Sequence, residues 1–189
     1  MGLDVQLSVI NMERYHQLLE AQNRELLEIG LSRTFCNLLH RADVVDHEPE
    51  LAQIAAIANV DLSPILRMDW YCDELDMEAS LGGYETAAEK SEFVQQTLAL
   101  NAKVVGNVDA VIHTLRDLIR ALLQVEDLPA MLLKTDFDVL NNDRYFAAFA
   151  EDLGDGYLNN NFGQDLRNLL AQVEFAKAIG EETVYFKYG

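Results

Sequence analysis

From Leu3 to Ile10 the chain alternates, with Leu3, Val5, Leu7 and Val9 apolar and Asp4, Gln6 and Ser8 polar between them. A period of two sends successive side chains to opposite faces, so this stretch predicts a half-buried strand. Asn11 then offers a capping oxygen, and Tyr15, Leu18, Leu19, Gln22, Leu26 and Ile29 form one mostly apolar helical stripe. The spacing predicts a helix over 12–29 that Gly30 ends. Ser32 opens a second helix through Phe35, Leu38 and Leu39. Asp46, with Pro49 soon after it, opens a third through Leu51, Ile54, Ile57 and Ala58, and Ser63-Pro64 begins a short turn of helix.

Asp69 to Tyr84 follows neither period and contains Gly82-Gly83, which predicts an ordered, exposed loop and the most mobile part of the chain. Beyond it Val94, Leu98, Asn101, Val105, Val108, Ile112, Leu115, Ile119 and Leu122 recur at alternating steps of four and three, a heptad seam. The seam keeps its phase across Gly106. One helix from Thr86 to Val125 is therefore expected, spanning about 60 Å with a glycine cost of about 1 kcal/mol. Val104, Val111 and Leu118 widen the stripe, which favours a central helix surrounded by others over a seam between two chains. Asn101 fixes the packing register in either case.

Pro129 interrupts the pattern, Met131 to Leu133 are apolar, and Asn141-Asn142-Asp143 predicts a turn before a short helix carrying Tyr145, Phe146 and Phe149. Gly154, Gly156 and Asn159 to Asn161 make the most turn-rich segment. Phe162, Leu166, Leu169, Val173 and Ala176 then predict a last helix with Gly180 beyond its end, and the β-branched and aromatic run Thr183 to Tyr188 predicts a strand. A lone strand leaves its backbone groups unpaired, so the two strands are expected to meet. The fold class is mainly α with a minor α+β element: a single domain over 1–189, a long central helix, and a small sheet joining the N- and C-terminal strands.

Composition narrows the function. Half of the 189 residues are hydrophobic, enough for one sizeable core without a disulfide, so Cys36 and Cys72 are read as buried free thiols. The first residues lack a basic stretch followed by an apolar one, and no run approaches the length of a membrane span, which points to a cytoplasmic protein. Gln6 stands where a myristoylation signal needs a hydroxyl residue. Against 14 basic side chains stand 32 acidic ones, a net charge of −18 that argues against DNA, RNA and anionic membranes, since phosphate binding needs clustered Lys and Arg.

No Walker loop, dinucleotide fingerprint, HExxH pair or Gly-x-Ser-x-Gly elbow is present, and no cofactor is expected. Asp152 to Asn161 lacks the alternating oxygen ligands of an EF-hand. Cys36 and His40, four apart on a helix, with His47 and Asp43 or Asp46 nearby, form a zinc candidate that matches no common spacing, and a structural thiol and histidine are the preferred reading. His16, His40, His47 and His113 make no triad, and Asp136 and Asp138 are ordinary in so acidic a chain.

The leading expectation is an interaction protein, such as an immunity or inhibitor protein, that engages a basic partner through Asp69, Asp73, Glu74, Asp76 and Glu78 as a monomer or dimer. The alternative is a small enzyme or polar-ligand domain whose site gathers His40, Asn161, Asp165 and Arg167 near the Asn159 to Asn168 turn. The competing view of that turn is a helix cap at Asn161, with Asp165 favouring the positive helix end.

Overall fold

A computed structural model describes residues 4–25, 27, 30–43, 45–133, 145–150 and 161–189. The two expected strands are β1 (Val5–Val9) and β2 (Val184–Tyr188), and they pair antiparallel from Val5 opposite Tyr188 to Val9 opposite Val184. Alternation divides them into two faces. Val5, Leu7, Val9, Val184 and Phe186 enter the hydrophobic core, while Gln6 and Ser8 lie opposite Lys187 and Tyr185 on the other face.

Helices make up most of the remainder: α1 (Met12–Ala21), α2 (Arg33–Leu39), α3 (Glu50–Ala58), α4 (Ser63–Leu66), α5 (Glu74–Leu81), α6 (Ala87–Asn101), α7 (Val108–Leu122), α8 (Leu128–Met131) and α9 (Phe162–Ala178). Asn11 and Ser32 cap α1 and α2 as expected, accepting from the backbone N–H of Arg14 and Phe35 at 3.1 Å each. The core is centred on α7 packed against α9. From α7 come Val108, Val111, Ile112, Leu115, Leu118 and Leu122, and from α9 Phe162, Leu166, Leu169, Val173 and Ala176.

Several boundaries depart from the sequence pattern. The first helix stops at Ala21, because Asn23 takes a left-handed φ of 52° and donates to the Glu20 carbonyl; the expected end at Ile29 lies outside the described residues. The third helix starts at Glu50 rather than Asp46, with Pro49 at its cap. Pro129 sits in the first turn of α8, where its missing N–H costs nothing. Tyr145, Phe146 and Phe149 are packed aromatics on a non-helical segment. There Gly163 is required: a Cβ would meet the Ala148 carbonyl oxygen at 2.3 Å. The turns expected at Asn141-Asn142-Asp143 and at Gly154 to Asn160 lie outside the described residues, as do Asp136, Asp138 and Asp152.

The largest correction concerns the heptad seam. Thr86 to Val125 is not one helix but α6 and α7, broken between Asn101 and Val108. Gly106 adopts φ +76°, its N–H donates to Thr183 Oγ1 at 3.0 Å, and Asn107 exchanges two side-chain hydrogen bonds with the Val184 backbone at 2.8 and 2.9 Å. The break is thus paired with the start of β2, satisfying groups that helix ends leave open. Leu98 and Val105 of the seam are consequently 55% and 63% exposed, whereas Val108 to Leu122 point into the core.

Candidate interaction surface

The segment Asp69 to Tyr84, read as an acidic loop, holds the end of a 3-10 turn and a helix, Glu74–Leu81, between irregular stretches. Arg67–Trp70 forms a 3-10 turn in which the Arg67 and Lys103 cations lie over the Trp70 ring, 5.6 and 5.5 Å from its centroid. Asp73 then caps α5, accepting from the Asp76 N–H at 2.9 Å, and Glu74 and Asp76 occupy the first turn, where the helix dipole favours negative charge. The hydrophobic period is missing because α5 buries none of its residues. Helix stability here comes from caps and end charges.

α5 and α6 form a helical arm. Thr86 and Glu89 make a reciprocal capping box at the start of α6, Tyr84 stacks on Phe93 at 4.9 Å, and Thr97 is the one α6 side chain that is fully buried. At the root of the arm Asn101 accepts from the Cys72 N–H at 2.9 Å and donates to the Cys72 carbonyl at 2.8 Å. Tyr71 stacks on Tyr185 of β2, centroids 4.4 Å apart. Burial, followed by Tyr185 and the Asp73 and Glu74 charges, raises the Tyr71 hydroxyl pKa.

The five expected partner-binding carboxylates divide into two groups. Lys187 Nζ lies 2.6 Å from Asp73 and 3.3 Å from Asp76, and Tyr188 donates to Asp69 at 2.6 Å. Partial burial pushes the Asp73 carboxyl upward, but Lys187 and the Asp76 N–H outweigh it and hold it below the usual range. The Asp73 hydrogen bond raises Lys187 in turn. Glu74 and Glu78 are exposed and make no ion pair with any described residue.

Between this arm and the polar face of the sheet runs a cleft of about 690 Å³. Ser8, Tyr185 and Lys187 line its sheet side, α5 contributes Glu74, Leu75 and Met77, α6 contributes Leu98, and Met12 and His16 of α1 lie across from them. Ile10, Leu75 and Leu98 in this lining are 59%, 73% and 55% exposed. Carboxylates and solvent-facing apolar side chains therefore share one cleft.

Family models, curated proteins and solved structures contain no match to this chain.

The residues of the alternative site are engaged elsewhere. Asn161 caps α9, accepting from the Gln164 N–H at 2.9 Å. Buried Asp165 accepts from the Ser32 N–H and hydroxyl at 2.8 and 2.7 Å and from the Tyr145 hydroxyl at 2.8 Å. Arg167 donates to the carbonyls of Ala148 and Phe149, and His40 meets the Tyr188 ring edge-on at 4.7 Å. Burial, only partly offset by these hydrogen bonds, pushes the Asp165 carboxyl up to about 6. The network joins the starts of α2 and α9 to the 145–150 segment. The sequence pattern puts Asp165 at a helix start but carries no sign of its partners, since Ser32 lies 133 residues away and Tyr145 sits on a separate, irregular segment.

Cys36 is buried and Cys72 half-buried, both as free thiols; burial raises each pKa, reinforced by nearby carboxylates. Among the described residues no group of three His, Cys, Asp or Glu side chains is placed to hold a metal, and no helix is long and apolar enough to cross a membrane. The Asp43 side chain lies outside the described residues.

Proposed function

We propose that this chain is a cytoplasmic interaction module that binds a basic protein through α5, in the manner of an immunity or inhibitor protein. The observation that carries this reading is a helix that buries no side chain yet is capped, anchored at its root, and presents Glu74, Glu78 and Leu75 to solvent. Holding a helix in that position costs conformational entropy that the partial burial of Met77 and Leu81 offsets only in part, and a partner surface supplies further burial. The net charge of −18 adds long-range attraction for a cationic partner and fast encounter at low salt. Because Lys187 and Tyr188 already engage Asp69, Asp73 and Asp76, Glu74 and Glu78 are the carboxylates assigned to the partner.

The enzyme or polar-ligand reading has less support, since Asn161, Asp165 and Arg167 make their hydrogen bonds within the protein. A direct test is capture from source-cell lysate at low and high salt with the native chain and with Glu74→Lys/Glu78→Lys, followed by titration of the purified captured protein. A basic protein bound at low salt, released at high salt and weakened at least about tenfold by the double reversal is expected. Equal affinity for both forms of the chain removes the proposal.

A further inference from the structure

We propose that the cleft between α5, α6 and the sheet seats an amphipathic, basic segment of the partner, with apolar side chains entering the cleft and Lys or Arg side chains facing the α5 carboxylates. This rests on the interaction reading above and adds to it the chemistry of the segment bound. Charge alone needs no cleft. Here, however, Ile10, Leu75 and Leu98 stand at the cleft with most of their surface in water, and Met12 and Met77 are half-buried beside them. Methionine is unbranched and polarisable, and it adapts to apolar side chains of different shape.

The charged groups select the sign of the occupant. Glu74 lines the cleft beside the apolar side chains, and Lys187, the one Lys or Arg among the described lining residues, is paired with Asp73 and Asp76. A second copy of this chain would bring another −18 charges to the same surface. A cationic segment gains from that field, and its apolar face gains from removing Leu75 and Leu98 from water. The asymmetry makes a separable prediction: the acidic residues govern salt dependence, and the apolar residues govern discrimination between basic peptides of equal charge.

Two synthetic peptides of equal length and charge provide the probe, one with Leu and Lys at helical spacing and one with Lys and Ser. The Leu/Lys peptide is expected to bind the full chain at least about tenfold more tightly. Leu75→Ser/Leu98→Ser, at exposed positions whose folding is checked by circular dichroism, should erase that preference, whereas Glu74→Lys/Glu78→Lys should weaken both peptides. Methyl resonances of Met12 and Met77 should shift on binding while those of buried Met68 and of Met131, neither of which lines the cleft, stay in place. Equal binding of the two peptides, no binding of either, a preference that survives Leu75→Ser/Leu98→Ser, or self-association that shifts the same methyls would overturn the cleft assignment. If charge reversal still abolishes partner binding in any of those cases, the interaction reading stands without the cleft; if it does not, both fall.

Discussion

Asp165 shows how one carboxyl can organise three segments and leave a thermodynamic mark. It is 3% exposed and accepts three hydrogen bonds from Ser32 and Tyr145, yet burial still pushes its pKa up to about 6. Between the ordinary carboxylate range and about pH 6, the native protein retains a proton that the unfolded chain has released. Stability from this group is therefore present at low pH and is lost as pH rises through about 6. Asp165→Asn removes the titration while keeping an oxygen for the Ser32 N–H and an amide able to donate to the Tyr145 hydroxyl. The stability of the native chain minus that of Asp165→Asn should grow on acidification from about pH 7.5 to about pH 4.5, by on the order of 2 kcal/mol. Urea titration at each pH measures the difference, and a flat difference rejects the account. Subtracting the variant cancels the other carboxylates, whose protonation also relieves the net repulsion.

At the scale of elements, the arm hangs on few contacts. Neither α5 nor α6 packs an apolar stripe on the core, and Asn101 holds the arm root through both backbone groups of Cys72. Asn101→Ala removes both hydrogen bonds and leaves a half-buried donor and acceptor, a loss of about 1–3 kcal/mol. Hydrogen exchange should show the amides of α5 and α6 losing protection while those of α7 and α9 keep theirs. Uniform loss across all four helices would mean that the arm opens only with the core.

What the sequence revealed, and what it did not, follows from whether each element is fixed by its own side-chain pattern. β1 and α7 turn a regular apolar face to the core, and α9, buried over most of its surface, still spaces its large apolar residues at helical intervals, so each writes a period into the sequence that can be read without a structure. α5 buries nothing, so its helix leaves only a cap at Asp73 and a charge bias, and it resembles a loop. The α6–α7 break stays hidden because the heptad phase continues across Gly106, while the groups that pair with the turn, Thr183 and Val184, lie near the other end of the chain. The acidic surface was legible as charge. That Lys187 and Tyr188 would take up Asp69, Asp73 and Asp76 was not, since it depends on β2 passing beside the arm.

On the scale of the whole molecule, the strands bring opposite ends of the described chain together: Asp4 and Gly189 exchange backbone hydrogen bonds at 3.3 and 3.1 Å, next to the pair Val5 and Tyr188. Antiparallel ladder bonds run perpendicular to their strands, so traction applied at Asp4 and Gly189 acts along those bonds and loads one pair at a time. The sheet should open like a zipper, at far lower force than one sheared along its strands, and the pull would next reach the link between β2 and the turn at Gly106. An optical-trap experiment gripping the chain near these residues should record early yielding at low force before the α7 and α9 core gives way, and a single high-force rupture would contradict it. The pairing that closes the sheet is thus the place where a pull applied across Asp4 and Gly189 meets least resistance.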